Sequence, residues 1–142
     1  MQQPAIIKGG THTDHRGILS HVNGFDMQEI KRFYFIEHPS TSVIRAWQGH
    51  KMEKKWFFVT KGSFLVKTIK VDDWENPSDK PDSAEFILSN SESEILYIPG
   101  GYANGFKAME DNSGMIVFSN FTIEESAADN YRFEKEKWNR WV

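Results

Sequence analysis

The chain has 142 residues, with 17 Lys+Arg against 20 Asp+Glu and a formal net charge of -3. That length suits one soluble domain spanning residues 1–142 and leaves no room for a second core. Mild acidity without a basic stripe argues against a nucleic-acid partner. No apolar run approaches the roughly 20 residues that span a bilayer, and the start MQQPAIIKGG lacks the pattern of a secretory leader, so a cytoplasmic location is expected. With no cysteine in the sequence, disulfides, thiolate ligands and a thiol nucleophile are excluded, and any chemistry falls to His, Tyr, Lys or carboxylates.

In chain order, the apolar pattern is that of short strands. Lys31 to Ile36, Trp56 to Thr60, Ser63 to Val71, Glu94 to Ile98 and Met115 to Phe121 are brief, aromatic and β-branched. Turn chemistry separates them: Thr60-Lys61-Gly62-Ser63 reads as a hairpin turn, Asn76 to Asp82 as an exposed loop, and Pro99-Gly100-Gly101 as a tight connection into another strand. The charged tail from Glu124 to Lys137 reads either as a short helix or as a strap around the domain. Half-apolar strands must bury their inner faces against a second sheet, so the expected class is all-β, a jelly-roll barrel with little helix. Such a barrel holds a small ligand between its sheets, which directs attention to polar residues on strands.

The densest polar cluster runs from Arg45 to Lys55. Strict alternation puts Gln48 and His50 on one face of a strand. Arg45, inside an otherwise aromatic segment, needs a partner to justify burial. Taken together, Arg45-Ala46-Trp47-Gln48-Gly49-His50-Lys51, the later run Leu96 to Phe106 and the early Asp14-His15-Arg16-Gly17 resemble the cupins, a double-stranded β-helix fold. More narrowly they resemble the nucleotide-sugar branch that contains dTDP-4-dehydrorhamnose 3,5-epimerases and dTDP-4-keto-6-deoxyglucose 3,4-ketoisomerases. The resemblance covers residues 12–138.

It implies an isomerase acting on a dTDP-4-keto-6-deoxy sugar in surface-polysaccharide biosynthesis, by proton transfer next to a ketone. It also implies a homodimer and no cofactor. Two departures fall on the chemistry. Where the family carries a catalytic His this chain has Gln48, and where it carries a late Tyr the alignment gives Phe118. A metal-binding cupin would use the positions of Gln48, His50, Lys55 and Asn104, and amides with an ammonium do not replace imidazoles and a carboxylate, so a metal-free site is expected. The candidate catalytic residues are His50 as base, Tyr102 as acid or anchor and Lys55 for enolate charge. Arg16, Arg45, Gln48, Lys51 and Asn104 are the candidate substrate contacts, the arginines for a diphosphate. The rival reading is a catalytically silent sugar-nucleotide-binding cupin. His12, His15, His21 and His38 lack ligand spacing, and Trp138 and Trp141 read as packing anchors or a dimer contact.

Overall fold

The computed structural model describes residues 3–141. Twelve strands form in order: β1 (Ala5–Lys8), β2 (Gly10–Asp14), β3 (Gly17–His21), β4 (Arg32–His38), β5 (Ile44–His50), β6 (Lys55–Lys61), β7 (Ser63–Lys70), β8 (Ser83–Ser89), β9 (Glu94–Ile98), β10 (Tyr102–Ala108), β11 (Ser113–Ser119) and, after the helix α1 (Ile123–Ala127), β12 (Tyr131–Arg132). Two five-stranded antiparallel sheets result, ordered β1-β9-β6-β11-β4 and β12-β5-β10-β7-β8. Among the described residues β2 and β3 pair only with each other. Among the described residues no helix is long and apolar enough to cross a membrane.

The expected strands all form, and the all-β jelly roll is the architecture found. The turn at Gly62 is not a hairpin, however. β6 pairs with β9 and β11 while β7 pairs with β8 and β10, so this turn carries the chain from one sheet to the other. Gly62 has a φ of +70°, and a Cβ there would run into Ser113, so glycine is required on both counts. The tail divides its expected roles between its parts. Thr122 caps α1 in a reciprocal capping box with Glu125, which satisfies two otherwise orphaned amides. Beyond it the chain lies along the outer face of the β5-β10-β7 sheet.

Packing follows the alternation. Phe57, Val59, Phe64, Val66, Leu88, Leu96, Phe106, Met115 and Val117 fill the space between the sheets. A second apolar cluster sits outside, where Trp47, Ile69 and Ala103 meet Trp138 and Trp141 from the tail. Both tail tryptophans are therefore intramolecular anchors. The third cluster joins Trp56 and Tyr97 to Phe25 and Phe118 on the outer face of the other sheet.

Candidate active site

Beside the apolar core the two sheets part to leave an open cavity of about 790 Å³. Its apolar lining includes Phe57, Phe106 and Val117, and its polar lining comes from β4, β5, β6, β10 and β12 with α1 on one side. The register explains how β5 delivers its residues. Asn104 opposes Gln48 and Phe106 opposes Arg45, so β5 carries one extra residue over this stretch. The bulge breaks the two-residue period. Arg45 and Gln48 both reach the cavity, whereas simple alternation puts them on opposite faces. Trp47 meanwhile packs against Trp138 and Trp141.

Lys55 opens β6 and is 3% exposed. Its ammonium donates to Gln48 Oε1 at 3.0 Å, and Gln48 Nε2 donates to Asn130 Oδ1 at 3.1 Å. Gln48 therefore works as an oriented amide relay. Burial pulls the Lys55 amine from 10.5 down to about 8; Glu53 opposes that pull, while Arg32 and Arg132 reinforce it. Near Lys55 lies Tyr34, whose ring centroid is 5.8 Å from Nζ. Its phenol is pushed up from 10.0 to about 12, chiefly by burial, and so stays protonated at neutral pH. Arg32 lies over the same ring at 5.0 Å and donates to the Phe121 carbonyl at 3.1 Å and to Glu53 Oε2 at 3.2 Å. Arg45 and Arg132 complete the cationic lining, in which no Asp or Glu takes part among the described residues.

Behind this wall is a buried carboxylate. Glu53 is 1% exposed and accepts from Ser119 Oγ at 2.6 Å, Ser126 Oγ at 2.7 Å and Arg32. His50 Nδ1 lies 3.3 Å from Glu53 Oε1 and 2.7 Å from the Asp129 carbonyl. That carbonyl can only accept, so Nδ1 carries the proton and donates to it, and Nε2 is a bare, buried acceptor with no partner among the described residues. Burial first, then the Lys55 charge, holds His50 below the ordinary histidine range, which keeps it neutral at pH 7. The Asp129 side chain fixes the β5–β6 turn by accepting the backbone amides of Lys51, Met52 and Glu53, each at 2.8 Å.

Four of the eight residues singled out from the sequence thus share the cavity: Arg45, Gln48, Lys55 and Asn104. The other four are elsewhere. His50 is buried behind the cavity lining, because it packs against Glu53 and the Asp129 carbonyl. Tyr102, at the start of β10, borders a separate cavity of about 180 Å³ with Thr68 and Asp82. Lys51 projects to the surface over the Tyr131 ring. Arg16 stands at the tip of the β2–β3 hairpin, held by Asp14 at 2.6 Å. Phe118 also faces away, edge-on to Phe25, and its neighbour Val117 lines the cavity instead.

The sequence reading passes over Arg32, Tyr34, Glu53, Asn130 and Arg132. A signal for two of them existed, because Arg32, Tyr34 and Ile36 occupy one face of a strand by period two. Glu53, in a loop, and Asn130 and Arg132, near the end of the chain, carry no such signal. Among the described residues no three His, Cys, Asp or Glu side chains converge to hold a metal ion. At the positions a metal-binding cupin would use, the ammonium of Lys55 bonded to the Gln48 amide is a donor set that does not fit a divalent cation.

Two antiparallel sheets closed over a core, with a polar cavity between them, form a jelly roll, and its fold is that of solved RmlC-like cupin structures. Among solved structures, the dTDP-4-dehydrorhamnose 3,5-epimerase of Sulfolobus tokodaii superposes with a TM-score of 0.77 over 97% of this chain and 80% of its own, at 22% identity. A double mutant of the QdtA 3,4-ketoisomerase from Thermoanaerobacterium thermosaccharolyticum, in complex with TDP, gives 0.71 over 94% and 89% at 20% identity. In sequence, the chain is 27% identical over 112 residues to the probable low-salt glycan biosynthesis epimerase Agl13 of Haloferax volcanii, covering 75% of this chain and 69% of that protein. No family model matches the sequence.

Proposed function

We propose that this protein is an isomerase-class enzyme that moves a proton next to the ketone of a nucleoside-diphosphate 4-keto-6-deoxy sugar, in surface-polysaccharide biosynthesis. The observation that carries this reading is the cavity lining: Arg32, Arg45, Lys55 and Arg132 with no carboxylate among them. A diphosphate carries about two negative charges, which guanidinium forks at the rim match. Deeper in, an amine held at about 8 and a phenol held at about 12 stand side by side. Two titratable groups pushed apart in this way suit acid and base roles at one centre. In the proposed reaction neutral Lys55 removes the proton alpha to the carbonyl and becomes an ammonium. The Tyr34 hydroxyl donates to the enolate oxygen. For epimerisation, solvent returns a proton to the same carbon on the opposite face and Lys55 passes its proton to water. For keto-group migration, the Lys55 ammonium protonates the former carbonyl carbon, while Tyr34 gives its proton to the former carbonyl oxygen and regains one from the neighbouring hydroxyl. Lys55 thereby takes the base role that the sequence assigns to His50. The activities of the epimerase and ketoisomerase neighbours, and the TDP bound by one of them, support the choice of substrate class.

Incubation with dTDP-4-keto-6-deoxyglucose in deuterium oxide tests this by NMR. Solvent deuterium enters at C3 or C5 with the native protein and not with Lys55→Met. The second reading, a silent sugar-nucleotide-binding cupin, is favoured by Gln48, an amide that cannot act as a base. Binding of dTDP without any exchange would establish it.

A cytoplasmic homodimer completes the proposal. β4 is an edge strand, and its outward Phe33 and Phe35, 58% and 68% exposed, form an edge-to-face pair at 5.8 Å. The β2–β3 hairpin adds exposed Ile18 and Leu19. Apolar surface of this kind on an edge strand favours burial by a second copy. Light scattering coupled to size exclusion gives twice the chain mass if this is right.

A further inference from the structure

His38 closes β4 and is 1% exposed, enclosed by aromatic rings. It stacks on Phe106 with centroids 5.6 Å apart and meets Phe64 edge-on at 5.3 Å. Its Nε2 lies 3.2 Å from Arg45 Nε. A guanidinium can only donate, so Nε2 is the acceptor and the ring proton sits on Nδ1. That Nδ1 is buried with no partner among the described residues. A buried donor without an acceptor is destabilising, and a phenylalanine or leucine between Phe64 and Phe106 would avoid the penalty. What the imidazole supplies and an apolar residue lacks is the acceptor for Arg45. Arg45 itself lies on the cavity rim, and its two Nη groups have no hydrogen-bond partner among the described residues. A guanidinium tethered through Nε has one orientation left, with both Nη groups free for a bidentate grip.

We propose that His38 is a positioning residue: by accepting the Nε–H of Arg45 it aims both Nη groups at a phosphate of the bound ligand. His38 touches no ligand and acts only through Arg45. The inference rests on the proposal above that the cavity takes a diphosphate. Isothermal titration calorimetry with dTDP tests it on the native protein, His38→Phe, His38→Gln, Arg45→Ala and the double variant Arg45→Ala/His38→Phe. His38→Phe fills the same aromatic site without an acceptor and weakens dTDP about tenfold, in the range expected when a charge-assisted contact loses its orientation. His38→Gln, whose Oε1 accepts the same hydrogen bond, stays within about threefold of the native affinity. On the Arg45→Ala background His38→Phe adds no further loss. If the phenyl ring prevents folding, as read from the thermal transition, His38→Leu takes its place with the same expectation. Native-like binding by the apolar variant, failure of Gln to rescue, or an equal loss with and without Arg45 would each overturn the inference while leaving the diphosphate reading intact. Absence of dTDP binding by the native protein would overturn both.

Discussion

Replacing Lys55 by methionine separates what the amine does for chemistry from what it does to the fold. The side chain is 3% exposed, and its amine falls from 10.5 to about 8 mainly because burial disfavours the charge. The unfolded chain therefore binds the proton more tightly than the folded one. Below pH 8 both states are protonated and the folded state carries the full penalty; between pH 8 and 10.5 the folded amine is neutral, the unfolded one is not, and stability rises with pH. At about 1.4 kcal/mol per pKa unit the fall from 10.5 to about 8 amounts to about 3 kcal/mol. Methionine has similar length and no charge to desolvate, but leaves the Gln48 acceptor facing the cavity, a loss of about 1 kcal/mol. Lys55→Met is thus expected to be about 2 kcal/mol more stable than the native protein at pH 7 and about 1 kcal/mol less stable above pH 10.5. Urea denaturation of both proteins at pH 7, 8, 9 and 10, with m-values checked for constancy, measures the crossing. Stability curves that run parallel across this range would refute the reasoning, because they would show that Lys55 titrates alike in both states. Loss of deuterium exchange in the more stable variant is the pattern expected where a functional group is retained against the interest of the fold.

Other consequences follow from the same geometry. If neutral Lys55 is the base, exchange rises with pH through about 8 and levels off above it; a rate that falls through this range would instead make the ammonium the active form. Glu53→Gln removes the carboxylate that anchors Arg32 and favours the Lys55 ammonium. It is expected to destabilise by about 3 kcal/mol in urea titrations and to move the rise in exchange to lower pH. Arg132→Gln removes a rim cation that has no salt-bridge partner among the described residues, so dTDP affinity is expected to fall about fivefold at low salt, with less difference at 0.5 M salt as screening grows; calorimetry at two ionic strengths checks this.

The strands and the jelly roll were legible because their residues are short, aromatic and alternating, and because inward and outward faces follow from period two. The cavity was half legible for another reason: Lys55 and Asn104 line it at positions that the family resemblance singles out. Arg45, expected to be buried, is exposed at the cavity, and its hydrogen-bond partner is His38. His38 itself could not be read from the chain, since its value depends on Arg45, seven residues away across a turn, and on rings from β7 and β10. The placement of His50 behind the cavity lining has a different origin. A motif places Gln48 and His50 two apart on one strand, yet the bulge at Ala46 and Trp47 turns Arg45 toward Gln48, and the β5–β6 turn held by Asp129 packs His50 onto Glu53. Neither the bulge nor an aspartate 79 residues downstream has a local signature. The amide at Gln48 then acquires a physical meaning that composition alone withholds. An imidazole there would compete for the proton of Lys55, whereas an amide bonded to Lys55 on one side and Asn130 on the other orients the amine without titrating. Loss of the expected histidine and depression of the lysine are thus compatible with one site, in which the proposed base lies on β6 instead of β5.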